Sequence, residues 1–134
     1  MTQPYNLYPL LASLRYQHLF FDLDHTLWDF EANARATLVQ LYEELGLQQL
    51  GIDDFDLFYR QYLEHNEKLW DRYRKGFIKQ EELRIKRMRL ALLDFGVVNE
   101  PVAATMNVRF LELLPTRTIL LPHTIELLDY LQQK

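Results

Sequence analysis

The chain has no cysteine, which excludes disulfides, thiolate zinc sites and thiol nucleophiles at once. No apolar run approaches the length of a membrane span. Positive charge is also short: 15 Lys and Arg stand against 19 Asp and Glu, and a net charge of −4 argues against a general binder of nucleic acid or anionic membrane. The four histidines, His18, His25, His65 and His123, lack the close spacing of a zinc or iron site. The first residues carry no basic segment, and Pro4, Asn6, Pro9 and Arg15 interrupt their apolar character, so no signal peptide is expected and the predicted location is the cytoplasm. What remains is ample apolar material. With 49% hydrophobic residues over 134 positions, the chain can bury one domain's core.

The most informative stretch is His18–Asp29, where an apolar run, Leu19-Phe20-Phe21, stops at two carboxylates two positions apart, Asp22 and Asp24. On a β-strand, residues i and i+2 share one face roughly 6.5–7 Å apart, so both carboxylates can look into one site while Leu23 faces away. A buried parallel strand is expected over Leu19–Phe21, with the acidic pair in the crevice beyond its carboxyl end.

Beyond this strand the pattern turns helical. Ala34, Leu38, Leu41, Tyr42 and Leu45 recur at helical spacing before Gly46. Asp53 or Asp54 can cap a second helix whose stripe runs Phe55, Phe58, Tyr59, Tyr62, Leu69, Trp70, Tyr73, up to Gly76. A third covers about 80–95 with Leu83, Met88, Ala91 and Leu92 inward, and a fourth about 100–114 with Val102, Met106, Phe110, Leu113 and Leu114. Residues 116–121 read as extended, and Pro122 opens a last helix with Ile125, Leu128 and Leu131 inside. A short helix is expected around 10–15. One strand followed by four helices, then by a second strand–helix region, reads as an α/β core whose first crossover holds a helical insertion. The predicted organisation is 1–30 as the start of the core, 31–114 as a cap and 115–134 as the return to the core.

Asp22 is the candidate nucleophile, since a carboxylate can attack a phosphoryl group and split one displacement into two. Attack of anion on anion calls for a cation, and Mg²⁺ suits a site of one or two carboxylates completed by water and phosphate oxygens. Asp24 is the candidate general acid and base. Thr26 offers a hydroxyl, and the turn after it offers N–H groups, to phosphate oxygens. Two look-alikes carry no such chemistry. Gly51-Ile52-Asp53-Asp54-Phe55-Asp56 opens a helix with no apolar strand before it, and Asp94-Phe95-Gly96, a kinase-like tripeptide without its glycine-rich loop, ends one. Trp28 and Trp70 are candidates for stacking on a nucleobase, against the commoner role of aromatics in a core. Asn66 lies on the apolar face of the second helix, either pairing helices or contacting substrate. The basic residues from Arg72 to Arg89 read first as a solvated helical face.

Phe20-Phe21-Asp22-Leu23-Asp24-His25-Thr26 resembles the first signature of the haloacid dehalogenase (HAD) superfamily, a hydrophobic strand followed by D-x-D-x-T. The segment 66–78, with Leu83 and Arg87 after it, is similar to the helical cap of the pyrimidine 5′-nucleotidase branch, and Leu121-Pro122 to its return to the core. The resemblance implies an α/β, HAD-like Rossmannoid core, present here in its N-terminal part, with an α-helical cap. It implies a magnesium-dependent phosphomonoester hydrolase acting through an aspartyl-phosphate: Asp22 as nucleophile and metal ligand, Asp24 as acid/base and metal ligand through its carbonyl, Thr26 and His25 at the phosphate. The implied substrate is a small phosphorylated molecule, a nucleotide or sugar phosphate. The family's later motifs, a Ser or Thr, a Lys or Arg and an acidic pair, do not fall within 18–134, which implies the amino-terminal part of a longer enzyme, impaired by itself. The rival expectation is a non-catalytic helical module that associates, as a homodimer or with the remainder of such a core, through its unpaired strand.

Overall fold

In the computed structural model, which describes residue 16 and residues 18–133, four helices form one bundle flanked by two extended segments. The helix expected around 10–15 lies outside the described residues. The first helix, α1 (Phe30–Glu44), is capped by Asp29, whose carboxylate accepts the Ala32 N–H at 2.9 Å. The second, α2 (Phe55–Arg74), is capped by Asp54, which accepts the Leu57 N–H at 3.0 Å and so gives the Asp-rich look-alike a purely structural role. Next come α3 (Gln80–Leu93) and α4 (Glu100–Leu113), the latter capped by Asn99, followed by a 3₁₀ turn over Leu114–Thr116. The last helix, α5, covers Thr124–Gln132.

The helices end where the sequence supplies a residue for the left-handed region. Gly46 (φ 61°) lets the Leu47 N–H fold back on the Tyr42 carbonyl, and Gly96 (φ 72°) does the same for Val97 and Leu92. In the bundle α2 packs on α3, α3 on α4 and α1 on α4, with a lighter contact between α1 and α2. Leu38 and Leu41 of α1, Phe58 and Tyr62 of α2, Met88 and Leu92 of α3, and Met106 and Phe110 of α4 fill one continuous core. A smaller cluster of Leu69, Ile78 and Leu83, backed by Trp70, closes the far end of the α2–α3 pair. These are the inward positions that the 3.6-residue spacing selects. Among the described residues no helix is long and apolar enough to cross a membrane.

Two expectations change. Leu19–Phe21 is extended chain and not a buried strand: Leu19 is 51% exposed, Phe20 96% and Phe21 41%, because no described segment lies beside them to complete a ladder. The only β-type pairings among the described residues are isolated bridges, Asp24 with Trp28 and Trp28 with Leu120. Likewise Ile125, expected to face inward, is exposed, since no described helix packs on α5, and Leu128 and Leu131 are half-buried.

The bundle core carries the stability of the described region. Phe58→Ala, at a fully buried position, is expected to cost about 3–5 kcal/mol, and Asp54→Ala, which removes only a cap, about 1 kcal/mol. Urea unfolding followed by helical circular dichroism measures both.

Candidate active site

The apolar run meets the bundle through a tight turn that presents the acidic pair. The Leu23 carbonyl accepts three N–H groups, from Thr26 at 3.3 Å, Leu27 at 3.0 Å and Trp28 at 2.9 Å. Folding back this sharply puts His25 in the left-handed region, φ 57°, where its N–H reaches the Trp28 carbonyl and its ring lies 5.2 Å from that of Phe30. Asp22, Asp24, His25 and Thr26 are all exposed. Asp22 Oδ1 accepts the Leu23 N–H at 3.0 Å, and neither carboxylate enters an ion pair among the described residues.

One expectation about phosphate binding fails here. The N–H groups of Leu27, Trp28, Asp29 and Phe30, after Thr26, are all taken by carbonyls of Leu23, Ile119 and Trp28, so the turn offers them to no anion. What it does offer is the Thr26 hydroxyl and the His25 ring. Beside Asp24 opens a cleft of about 480 Å³, walled by Trp28 and Phe30 on one side and by Leu114, Pro115 and Arg117 on the other. Such a volume falls within the range of small-ligand sites. The indole of Trp28 is fixed there, because Nε1 donates to the Arg117 carbonyl at 2.9 Å while the ring meets Phe30 edge-on.

Two candidates lie elsewhere. Asn66 accepts a hydrogen bond from Arg87 Nη1 at 3.0 Å, pairing α2 with α3, and Trp70 packs on the small distal cluster and edge-on against Tyr73. Two further residues escaped the sequence reading. Asn33 is fully buried: its Nδ2 donates to the Asp29 and Ile119 carbonyls, each at 2.8 Å, and its Oδ1 accepts the Ile119 N–H at 3.1 Å. Arg117 reaches from the outgoing segment to α1, with Nε on Thr37 Oγ1 at 3.2 Å and Nη2 on Gln40 Oε1 at 2.5 Å. A signal existed, since Asn33 and Thr37 are polar residues one turn apart on the face that also carries Leu41.

No family model matches the chain. It is 35% identical over 81 residues to the pyrimidine 5′-nucleotidase PynA of Streptococcus pneumoniae (strain ATCC BAA-255 / R6), a match covering 60% of this chain and 32% of that protein. Its structure superposes on that of YfnB, a HAD-hydrolase of Bacillus subtilis described as bound to magnesium, with a TM-score of 0.78 and 26% identity, over 90% of this chain and 50% of that one. The chain resembles the HAD superfamily, on its nucleotidase-like side, in both sequence and fold. It thus spans about a third of the curated relative and half of the solved one. The mostly helical bundle with its flanking extended segments is compatible with a HAD-type helical cap and part of a core.

Within the bundle, Arg87 is a buried cation with no carboxylate in contact among the described residues. Its guanidinium carbon lies 4.9 Å from the Phe110 ring centre and 5.8 Å from that of Tyr62, and Nε is buried without a partner. Burial holds its pKa below the usual arginine value, and burial likewise pushes the Tyr62 hydroxyl up to about 12. Because a buried charge loses its hydration, Arg87→Met is expected to change stability by less than about 1 kcal/mol or to raise it. Asn66→Leu, which strips the guanidinium of its acceptor, is expected to cost about 1–3 kcal/mol. Equilibrium unfolding of the two variants checks the contrast.

Proposed function

We propose that the protein is a magnesium-dependent phosphomonoester hydrolase whose substrate is a nucleoside 5′-monophosphate. The observation that carries this reading is a pair of exposed carboxylates, Asp22 and Asp24, without an ion pair among the described residues, of which Asp24 lines a ligand-sized cleft. The donor set fits the metal. Mg²⁺ takes one or two protein carboxylates and fills the rest of its octahedron with water and phosphate oxygens, so Asp22 and Asp24 would hold it. When bound, the ion offsets the repulsion between an attacking carboxylate and a phosphate.

In this reading an Asp22 carboxylate oxygen bonds to phosphorus as the bond from phosphorus to the ester oxygen breaks. Asp24, protonated at that stage, gives its proton to the departing alkoxide and leaves an alcohol. Asp24 then takes a proton from water, whose oxygen attacks the acyl phosphate; inorganic phosphate departs and Asp22 is regenerated. Thr26 and His25 face the phosphate oxygens. Trp28, held flat by its bond to Arg117, supplies an aromatic wall for a base. The name of the S. pneumoniae relative supports the nucleotide, and the description of YfnB supports magnesium. In this reading core residues outside the matched stretch would complete the site, and the cap would span 31–114.

Hydrolysis of p-nitrophenyl phosphate and of nucleoside monophosphates, with and without MgCl₂, tests the reading. Turnover is expected to require magnesium, to vanish in Asp22→Asn, and to fall about 10²–10⁴-fold in Asp24→Asn. Magnesium-independent turnover, or an active Asp22→Asn, would sink it.

A second reading, association through the unpaired core segment, is favoured by the exposure of Leu19, Phe20 and Leu23. Light scattering is expected to give a dimer or larger species that Phe20→Asp shifts to monomer; a monomeric wild-type chain rejects this reading.

A further inference from the structure

Among the described residues the bundle and its flanking segments are joined at two chain crossings. Among the described residues α5 packs on no other helix, and the run from Leu19 to Asp24 is exposed, so neither rests on the bundle. What joins the crossings is a short ribbon beside the bond from the Trp28 indole N–H to the Arg117 carbonyl. The Asp29 N–H donates to the Ile119 carbonyl and the Leu121 N–H to the Leu27 carbonyl, and Thr124 Oγ1 adds a bond to the same Leu27 carbonyl. Two main-chain bonds of this kind hold a pair of segments only marginally in water.

We propose that Asn33 is a positioning residue that binds the incoming and outgoing segments into one strap, so that the cap moves as a unit relative to Asp22, Asp24 and α5. Its amide sits on α1, within the rigid bundle, yet touches both crossings with all three of its bonds. Only a carboxamide offers two donors and an acceptor in one plane, which is what two carbonyls and one N–H demand. The Ile119 N–H has Asn33 Oδ1 as its partner, so removing the side chain leaves that donor without an acceptor. Arg117 supports the same tie from the outgoing side through Thr37, whose hydroxyl in turn donates to the Asn33 carbonyl. The proposal stands on this geometry and not on the chemistry assigned to Asp22.

The lack of native cysteine allows a clean test. Spin labels on Glu67→Cys in α2 and Asp129→Cys in α5, both exposed, report the cap-to-core distance by pulsed electron resonance. Asn33→Ala is expected to broaden that distribution and to raise amide exchange at Ile119 about tenfold, the loss of one buried hydrogen bond. Asn33→Asp keeps the acceptor and loses both donors, so it should broaden the distances while Ile119 stays protected; it also serves if the alanine variant does not fold. Asn99→Ala removes a helix cap inside the bundle and should lower stability without broadening. Unchanged distances in both Asn33 variants would overturn the proposal, as would equal broadening by Asn99→Ala.

Discussion

Wherever two chain segments cross from one body to another without a sheet beside them, their N–H and C=O groups need partners from somewhere else. Here three of those groups, the Asp29 and Ile119 carbonyls and the Ile119 N–H, turn to one buried amide. Asn33 is placed by α1, α1 is started by Asp29, and Asp29 itself donates from its backbone to Ile119 on the outgoing segment. The cap that begins the helix and the bonds that close the crossing therefore share residues. Loss of either loosens the other, and the turn that presents Asp22 and Asp24 is anchored to the bundle through the same few bonds.

The bundle, by contrast, draws its core from its own four helices. Its core is built from aliphatic and aromatic side chains contributed by all four helices, and its ends are fixed by Asp54, Asn99 and glycines in the left-handed region. The one charged intruder, Arg87, is accommodated by an amide acceptor and two aromatic faces instead of a carboxylate. A guanidinium is weakly hydrated, which makes it the cheapest cation to bury in this way. Arg87 then fixes the relative placement of α2, α3 and α4, because Asn66, Arg87 itself and Phe110 belong to one each.

Helical periodicity made the cap legible: Leu38, Phe58, Met88 and Met106, placed inward by spacing, are all fully buried. Glycines at 46 and 96 ended helices as the spacing required. The extended segments resisted the same logic. Alternation and apolar runs say that a strand wants neighbours, but they do not supply them, and Leu19–Phe21 finds none among the described residues. The phosphate-binding turn failed for a different reason. A sequence indicates which residues flank a turn, whereas the fate of each N–H depends on how tightly the chain folds back, and here the Leu23 carbonyl absorbs three of them. Asn33 was visible as a polar residue in an apolar register, but its partners, 86 positions away at Ile119, were not.

A division of labour follows from where polar groups are spent. In the bundle and strap several polar side chains are used for architecture: the Trp28 indole, the Arg117 guanidinium and the Asn33 amide all bond within the protein. The carboxylates of Asp22 and Asp24, the Thr26 hydroxyl and the His25 ring stay exposed on a turn whose N–H groups from His25 to Phe30 are bonded to carbonyls. Such a turn, bonded in its main chain and open in its side chains, leaves those side chains free for a ligand. That arrangement suits acceptor chemistry toward a cation far better than donor chemistry toward an anion. On the proposed function, a phosphate at this turn would depend mainly on a metal ion held by the carboxylates, because the N–H groups from Leu27 to Phe30 already have carbonyl partners.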